Sequence, residues 1–205
     1  MVSLFVTALA IGVSIAAPVG PIGLLCIQRS LAHGLVIGFV SGLGAAAADG
    51  VYGAIAAFGL TALSNALVAQ ALWIQLGGGV ILVGLGVQAA RSPPQPLASA
   101  TETTRGTFAA FASVFVLTLA NPMTILSFVA VFAGLGLVAA ETTGAALVVV
   151  AGVFLGSAAW WLALAVGVSL LRARIGPRAL VAINRAAGAF IAGIGLWAIV
   201  AALRP

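Results

Sequence analysis

Asp49 stands furthest in chemistry from its surroundings: it is the one acid inside any long apolar run of this chain. A charge at the centre of a bilayer costs at least about 2.5 kcal/mol on insertion scales, so an acid retained there usually faces a cavity and serves a function. Two functions suit it. It can bind the ammonium group of a substrate, or take up and release a proton as the coupling step of transport. The alternative is structural, a protonated aspartic acid joining two helices by a hydrogen bond. Tyr52, one turn further on, either hydrogen-bonds in the same cavity or packs.

Two proline breaks come next. Ala17-Pro18-Val19-Gly20-Pro21 interrupts one apolar run and Ala120-Asn121-Pro122 another. A proline inside a helix removes a backbone hydrogen bond and clashes with the preceding turn. Broken backbone at membrane depth is tolerated only where it is buried in protein or lines a cavity. A half-helix starting after Pro21 would turn its free N–H groups and positive dipole end towards a carboxylate. Asn121 adds a cap or a direct ligand beside Pro122, with Thr124 and Ser127 following on nearby faces. Trp160 and Trp161 lie too deep in their run for an interfacial belt, and either wall a cavity or pack in the core. Asp49 would supply a negative point and the breaks positive ones, which together suit a zwitterion. The alternative for the breaks is a pair of packing kinks.

Other chemistries are excluded. One histidine and one cysteine beside a single membrane acid cannot build a metal or haem site. A phosphate loop with lysine is missing, because the eight basic residues are all arginine. No nucleophile–base pair is available for a hydrolase. The net charge of +5 is carried by arginines in short gaps without interleaved aromatics, which does not suit nucleic acid. The expectation is therefore a non-enzyme with no cofactor, no metal and no nucleic-acid partner.

The elements that must position these residues follow from composition. The 205 residues are 63% apolar and 5% charged, far from the roughly 25% charge of a soluble domain. About 20 apolar residues span a bilayer. Six such runs are present, at roughly 4–26, 35–62, 66–90, 107–137, 144–171 and 180–203. Runs such as Ala145 to Leu155 are apolar at every position, which excludes a β-barrel. The expected fold is an all-α integral membrane protein, one translocator domain over 1–205. Its halves are about 1–92 and 104–205, joined by a proline-bearing loop over about 91–105 with Pro93, Pro94, Pro96 and Glu102. Gln28 to Gly34, the Ser64-Asn65 hairpin, Glu141 with its neighbours, and Arg172 to Arg178 form the remaining gaps.

Arginine placement sets the orientation. Arg29, Arg91, Arg105, Arg172, Arg174, Arg178 and Arg185 fall on one side and Arg204 on the other. That predicts cytoplasmic odd-to-even gaps and both termini outside. Three spans per half make an inverted 3+3 repeat the natural plan, with helices one and four broken. Gly34, Gly38, Gly42, Ala46, Gly50 and Ala54 keep four-residue spacing, and Gly152 with Gly156 repeats it; such smooth faces let helices approach closely.

Pro18-Val19-Gly20-Pro21, Arg29-Ser30-Leu31, His33-Gly34, Gly42-Leu43-Gly44, Asp49, Tyr52, Leu119-Ala120-Asn121-Pro122, Gly156 to Trp161 and Asn184 to Trp197 occur in an order that resembles the lysine exporter (LysE/RhtB) family of amino-acid translocators. The resemblance covers essentially the whole chain. It implies a six-span carrier of the bacterial-type inner membrane, surrounded by lipid, that exports amino acids against protons and pairs as a homodimer. The family's Pro-Gly-Pro falls on Pro18, Gly20 and Pro21, its span-two aspartate on Asp49, and its Asn-Pro on Asn121 and Pro122. Val19 is an insertion in the first motif, and Met123 replaces a basic residue common after the second. Two alternatives stay open at this point: a carrier for another small solute or cation on the same scaffold, and a non-transporting membrane subunit.

Overall fold

The computed structural model describes residues 1–18, 20–59, 69–91, 104–121, 124, 127–128, 142–172 and 174–203. Among them there are seven helices and no strand. They are α1 (Val2–Ala16), α2 (Pro21–His33), α3 (Leu35–Ala57), α4 (Ala71–Arg91), α5 (Thr104–Leu119), α6 (Thr143–Arg172) and α7 (Pro177–Leu203).

Length and apolarity qualify α3, α6 and α7, from Arg178, to cross a membrane. The bent pair α1 and α2 qualifies if taken as one span. Side chains such as Leu147, Leu155, Leu162 and Leu170 on α6, and Phe190, Leu196 and Leu203 on α7, are exposed. In water an apolar surface of this extent would be a liability; against lipid it is the expected exterior.

The first apolar run departs from its expected outline. Instead of one interrupted span over 4–26, two helices meet at 81° around Pro18 and Gly20. The second does not stop at Gln28 but continues to His33. Gln28 and Ser30 are buried within it. Ser30 Oγ donates to the Cys26 carbonyl of the same helix at 2.9 Å and Arg29 donates to side chains and a carbonyl of two other helices, while Gln28 Nε2 has no partner among the described residues. α2 and α3 are then joined through Gly34 alone, at φ 97, a conformation open to glycine at little cost.

Packing divides the helices unevenly. α3 and α6 lie side by side, with α1 against α6 and α5 against α3; α4 packs chiefly against α7, and α2 runs between the two groups. Close glycine contacts make the α4–α7 pair tight. A Cβ at Gly86 would lie 2.5 Å from Ala192 N and 2.6 Å from the Gly188 carbonyl, and one at Gly79 would lie 2.9 Å from the Gly195 carbonyl. Contacts of this kind replace the hydrophobic drive that lipid removes. Val114, Leu25, Trp161 and Ile191 centre one buried cluster, and Tyr52, Phe128, Ala8 and Val153 another.

Among the gap residues, Val19, Ser64, Asn65, Pro93, Pro94, Pro96, Glu102 and Glu141 lie outside the described residues, as do Pro122, Met123 and Arg204.

Candidate functional site

A cavity of about 510 Å³ opens where α2 begins, bounded by α3 and by the α4–α7 pair. Volumes of several hundred Å³ are usual for small-molecule sites. Pro18, Gly20, Pro21, Asp49, Asn121 and Trp161 all line it. Thr124 and Ser127 do so as well. The two breaks and the span-two acid therefore converge although they are far apart in sequence. Pro122 lies outside the described residues. Tyr52 does not line the cavity: its hydroxyl donates to the Leu119 carbonyl at 2.5 Å, and its ring packs 5.3 Å from that of Phe128. It thus braces the end of α5, next to Asn121, from behind.

α3 brings Asp49 to the cavity through its small-residue face. Gly42, one face of the helix further towards its start, lies so close to Trp161 that a Cβ would meet the indole at Cγ, 2.7 Å away. A Cβ at Gly53 would lie 3.4 Å from Val153 Cβ. With no bulk between the helices, the short aspartate reaches α6. Asp49 is 3% exposed, and Ser157 Oγ donates to its Oδ2 at 2.7 Å. Trp161 Nε1 in turn donates to Ser157 Oγ at 3.1 Å. The indole thus fixes the hydroxyl, and the hydroxyl fixes the carboxyl group. Among the described residues no cation pairs with Asp49. A carboxylate buried without a counter-charge is costly, which leaves it suited to a proton or to an ammonium group from outside the chain.

Pro21 opens α2, with Gly20 in extended backbone as its N-cap and no side chain capping it. Free N–H groups at a helix start attract a carboxylate. A Cβ at Gly20 would meet nothing within 4 Å, so the approach to that helix end is open.

Two features escaped the sequence. The first is Ser157, whose signal is faint: a hydroxyl inside an apolar run, next to Gly156 but turned to α3 where the glycine faces α1. The second is Arg29. Arginine counting placed it in a gap as an orienting charge, whereas it is half-buried in α2 and tied to two other helices. Its Nη1 donates to Ser41 Oγ at 3.0 Å and to the Ala110 carbonyl at 2.9 Å, and its Nη2 to Ser113 Oγ at 2.9 Å. Nearby, Arg172 Nη2 donates to the Ala32 carbonyl at 3.2 Å, joining α6 to the end of α2. Serines at 41 and 113, each inside an apolar run, were the available sign. His33, read as solvated, is partly buried and its Nδ1 has no partner among the described residues.

An apolar helical bundle that encloses a cavity around a buried acid and a broken helix has the architecture of a membrane transport protein. The family described as LysE type translocator matches residues 13–202, and the chain belongs to that family. It is a transporter in the membrane, not an enzyme. The chain is also 27% identical over 202 residues to a protein named "Putative amino acid efflux protein YcgF" from Bacillus subtilis (strain 168), covering 95% of this chain and 94% of that one. No solved structure matches it.

Proposed function

We propose that this translocator exports amino acids by a proton-coupled, secondary antiport cycle across the cytoplasmic membrane. The observation that carries this reading is the single cavity in which Asp49, the start of α2 and Asn121 meet. The substrate ammonium binds at Asp49. Its carboxylate lies at the free N–H groups of α2, beside Asn121. The proton exchanged for the substrate occupies the same carboxyl group, so the two compete and the exchange is coupled. The efflux function in the name of the Bacillus subtilis relative supports the direction.

The six-span inverted repeat belongs to this reading. Gly44 on α3 packs against the Phe111 carbonyl and, at 3.0 Å from a built Cβ, Phe115 N of α5. Gly152 on α6 packs likewise against the Phe5 carbonyl, 3.0 Å, and Leu9 N, 3.1 Å, of α1. Asp49 and Ser157 are 108 residues apart, the same interval as Gly44 and Gly152. Their hydrogen bond then sits at the pseudo-two-fold axis, where a change in either half reaches the other. With both termini outside, the cavity lies towards the outer face, and the Arg29 and Arg172 contacts hold the cytoplasmic end shut. Pairing into a homodimer, tested by crosslinking in membranes, completes the assembly.

The test uses purified protein in liposomes loaded with labelled amino acids under an imposed pH gradient. Efflux by the wild type that collapses with the gradient, and its loss in Asp49→Asn, is the expected result. Absence of movement for every amino acid overturns the reading. Gradient-independent efflux removes the proton from it.

A further inference from the structure

We infer that the cavity selects amino acids with uncharged, apolar side chains and excludes basic and acidic ones; this rests on the export reading above. The inference comes from how polarity is distributed around the wall. The groups able to hold a zwitterion all lie on one side: Asp49 on α3, the start of α2, and Asn121. The facing wall is built by α4 and α7 and offers Leu82, Ile194, Trp197 and two glycines, Gly78 and Gly79. Its one polar side chain, Gln75, already donates from Nε2 to the Ala198 carbonyl of the same helix pair at 3.2 Å. A substrate anchored by its ammonium and carboxylate at the first side therefore presents its side chain to an apolar surface.

Charge counting gives the same answer. The chain has three acids in all, and among the described residues Asp49 is the one acid lining the cavity. It is needed for the α-ammonium. The other two, Glu102 and Glu141, fall in the polar gaps of the sequence. A lysine or arginine side chain would bring a second cation into a low-dielectric site with no anion to meet it. An acidic side chain would fare no better: no arginine is among the described lining residues, and Arg29 is engaged by Ser41, Ala110 and Ser113. A Cβ at Gly78 meets Ala120 Cβ at 3.3 Å and the Ala120 carbonyl at 3.5 Å, so that glycine borders the space beside the second break.

The experiment is counterflow in liposomes, with labelled leucine as the tracer and unlabelled leucine, phenylalanine, lysine, arginine and glutamate as competitors. Leucine and phenylalanine should compete at least tenfold better than lysine, arginine or glutamate. Trp197→Glu places an acid on the apolar wall at a well-exposed position, and should narrow that preference by admitting lysine. If no leucine counterflow appears but labelled lysine or glutamate is exchanged by the same liposomes, the inference fails while the export reading survives. If no labelled amino acid of either kind is exchanged, the export reading fails and the inference falls with it.

Discussion

Asp49 and Arg29 both carry charge into this bundle and are treated in opposite ways. Asp49 borders a cavity, accepts one hydrogen bond from Ser157, and has no cation beside it among the described residues. Arg29, near the other end of α2, donates to three acceptors on α3 and α5, all of them neutral. The difference separates a charge available to a ligand from one consumed by the fold. Arginine suits the second role because its planar fork can bond several acceptors at once in fixed directions. An aspartate has a short side chain with two acceptor oxygens, so one fixed hydroxyl can orient it and still leave an oxygen for exchange.

The contrast can be broken most severely at Asp49. Replacing it by Asn keeps the size and a hydrogen bond from Ser157, but removes the charge. The proposed substrate ammonium would then lose its partner, and loss of one partner of a buried charge pair costs about 3–5 kcal/mol, so efflux in liposomes should fall roughly a hundredfold or more, with membrane abundance and melting temperature held. A melting temperature that drops along with transport would assign Asp49 to the fold instead. At Arg29 the expectation is reversed. Arg29→Ala removes hydrogen bonds from a charged group, worth about 1.5–3 kcal/mol each. It should lower the melting temperature in detergent, with Arg29→Lys recovering part of the loss. If Arg29→Ala stays as stable as the wild type, the structural role is wrong.

The next effect concerns the α4–α7 pair rather than either charge. Gly86→Val drives a side chain into the Gly188 and Ala192 backbone, and overpacking of this kind costs about 1–3 kcal/mol. Thermal unfolding of the variant should show it, whereas Gly193→Ala, where a Cβ would meet nothing within 4 Å, should not. The smallest effect is expected at Ser157→Ala. It removes one hydrogen bond to Asp49, about 1 kcal/mol net, and frees the Trp161 indole. Efflux should fall less than tenfold. A double variant with Asp49→Asn should be no worse than Asp49→Asn alone, since Ser157 acts through that carboxyl group. An additive further loss would give the serine a separate role.

Much of the site was legible because chemistry at membrane depth is conspicuous. An acid in an apolar run, and prolines where a helix should continue, stand out against 63% apolar composition. Tyr52 stayed open between the two roles for a simple reason: it lies one turn from Asp49, and whether its side chain meets the cavity or α5 is decided by packing. Arg29 misled because the arginine rule reads charges as anchors in water, while α3 and α5 bring Ser41, Ser113 and a carbonyl to it from up to 84 residues away.

The sequence by itself determined that the chain is a helical membrane protein, where its backbone breaks, and that one acid must be sheltered. Those conclusions need only the cost of charge and of broken hydrogen bonds in an apolar solvent, which are local properties. The tertiary structure alone decided that both breaks and the acid share one cavity, that Ser157 and Trp161 orient Asp49, and that Arg29 is spent on neighbouring helices. Each of these depends on which helices lie side by side, and small-residue faces permit close approach without naming the partner.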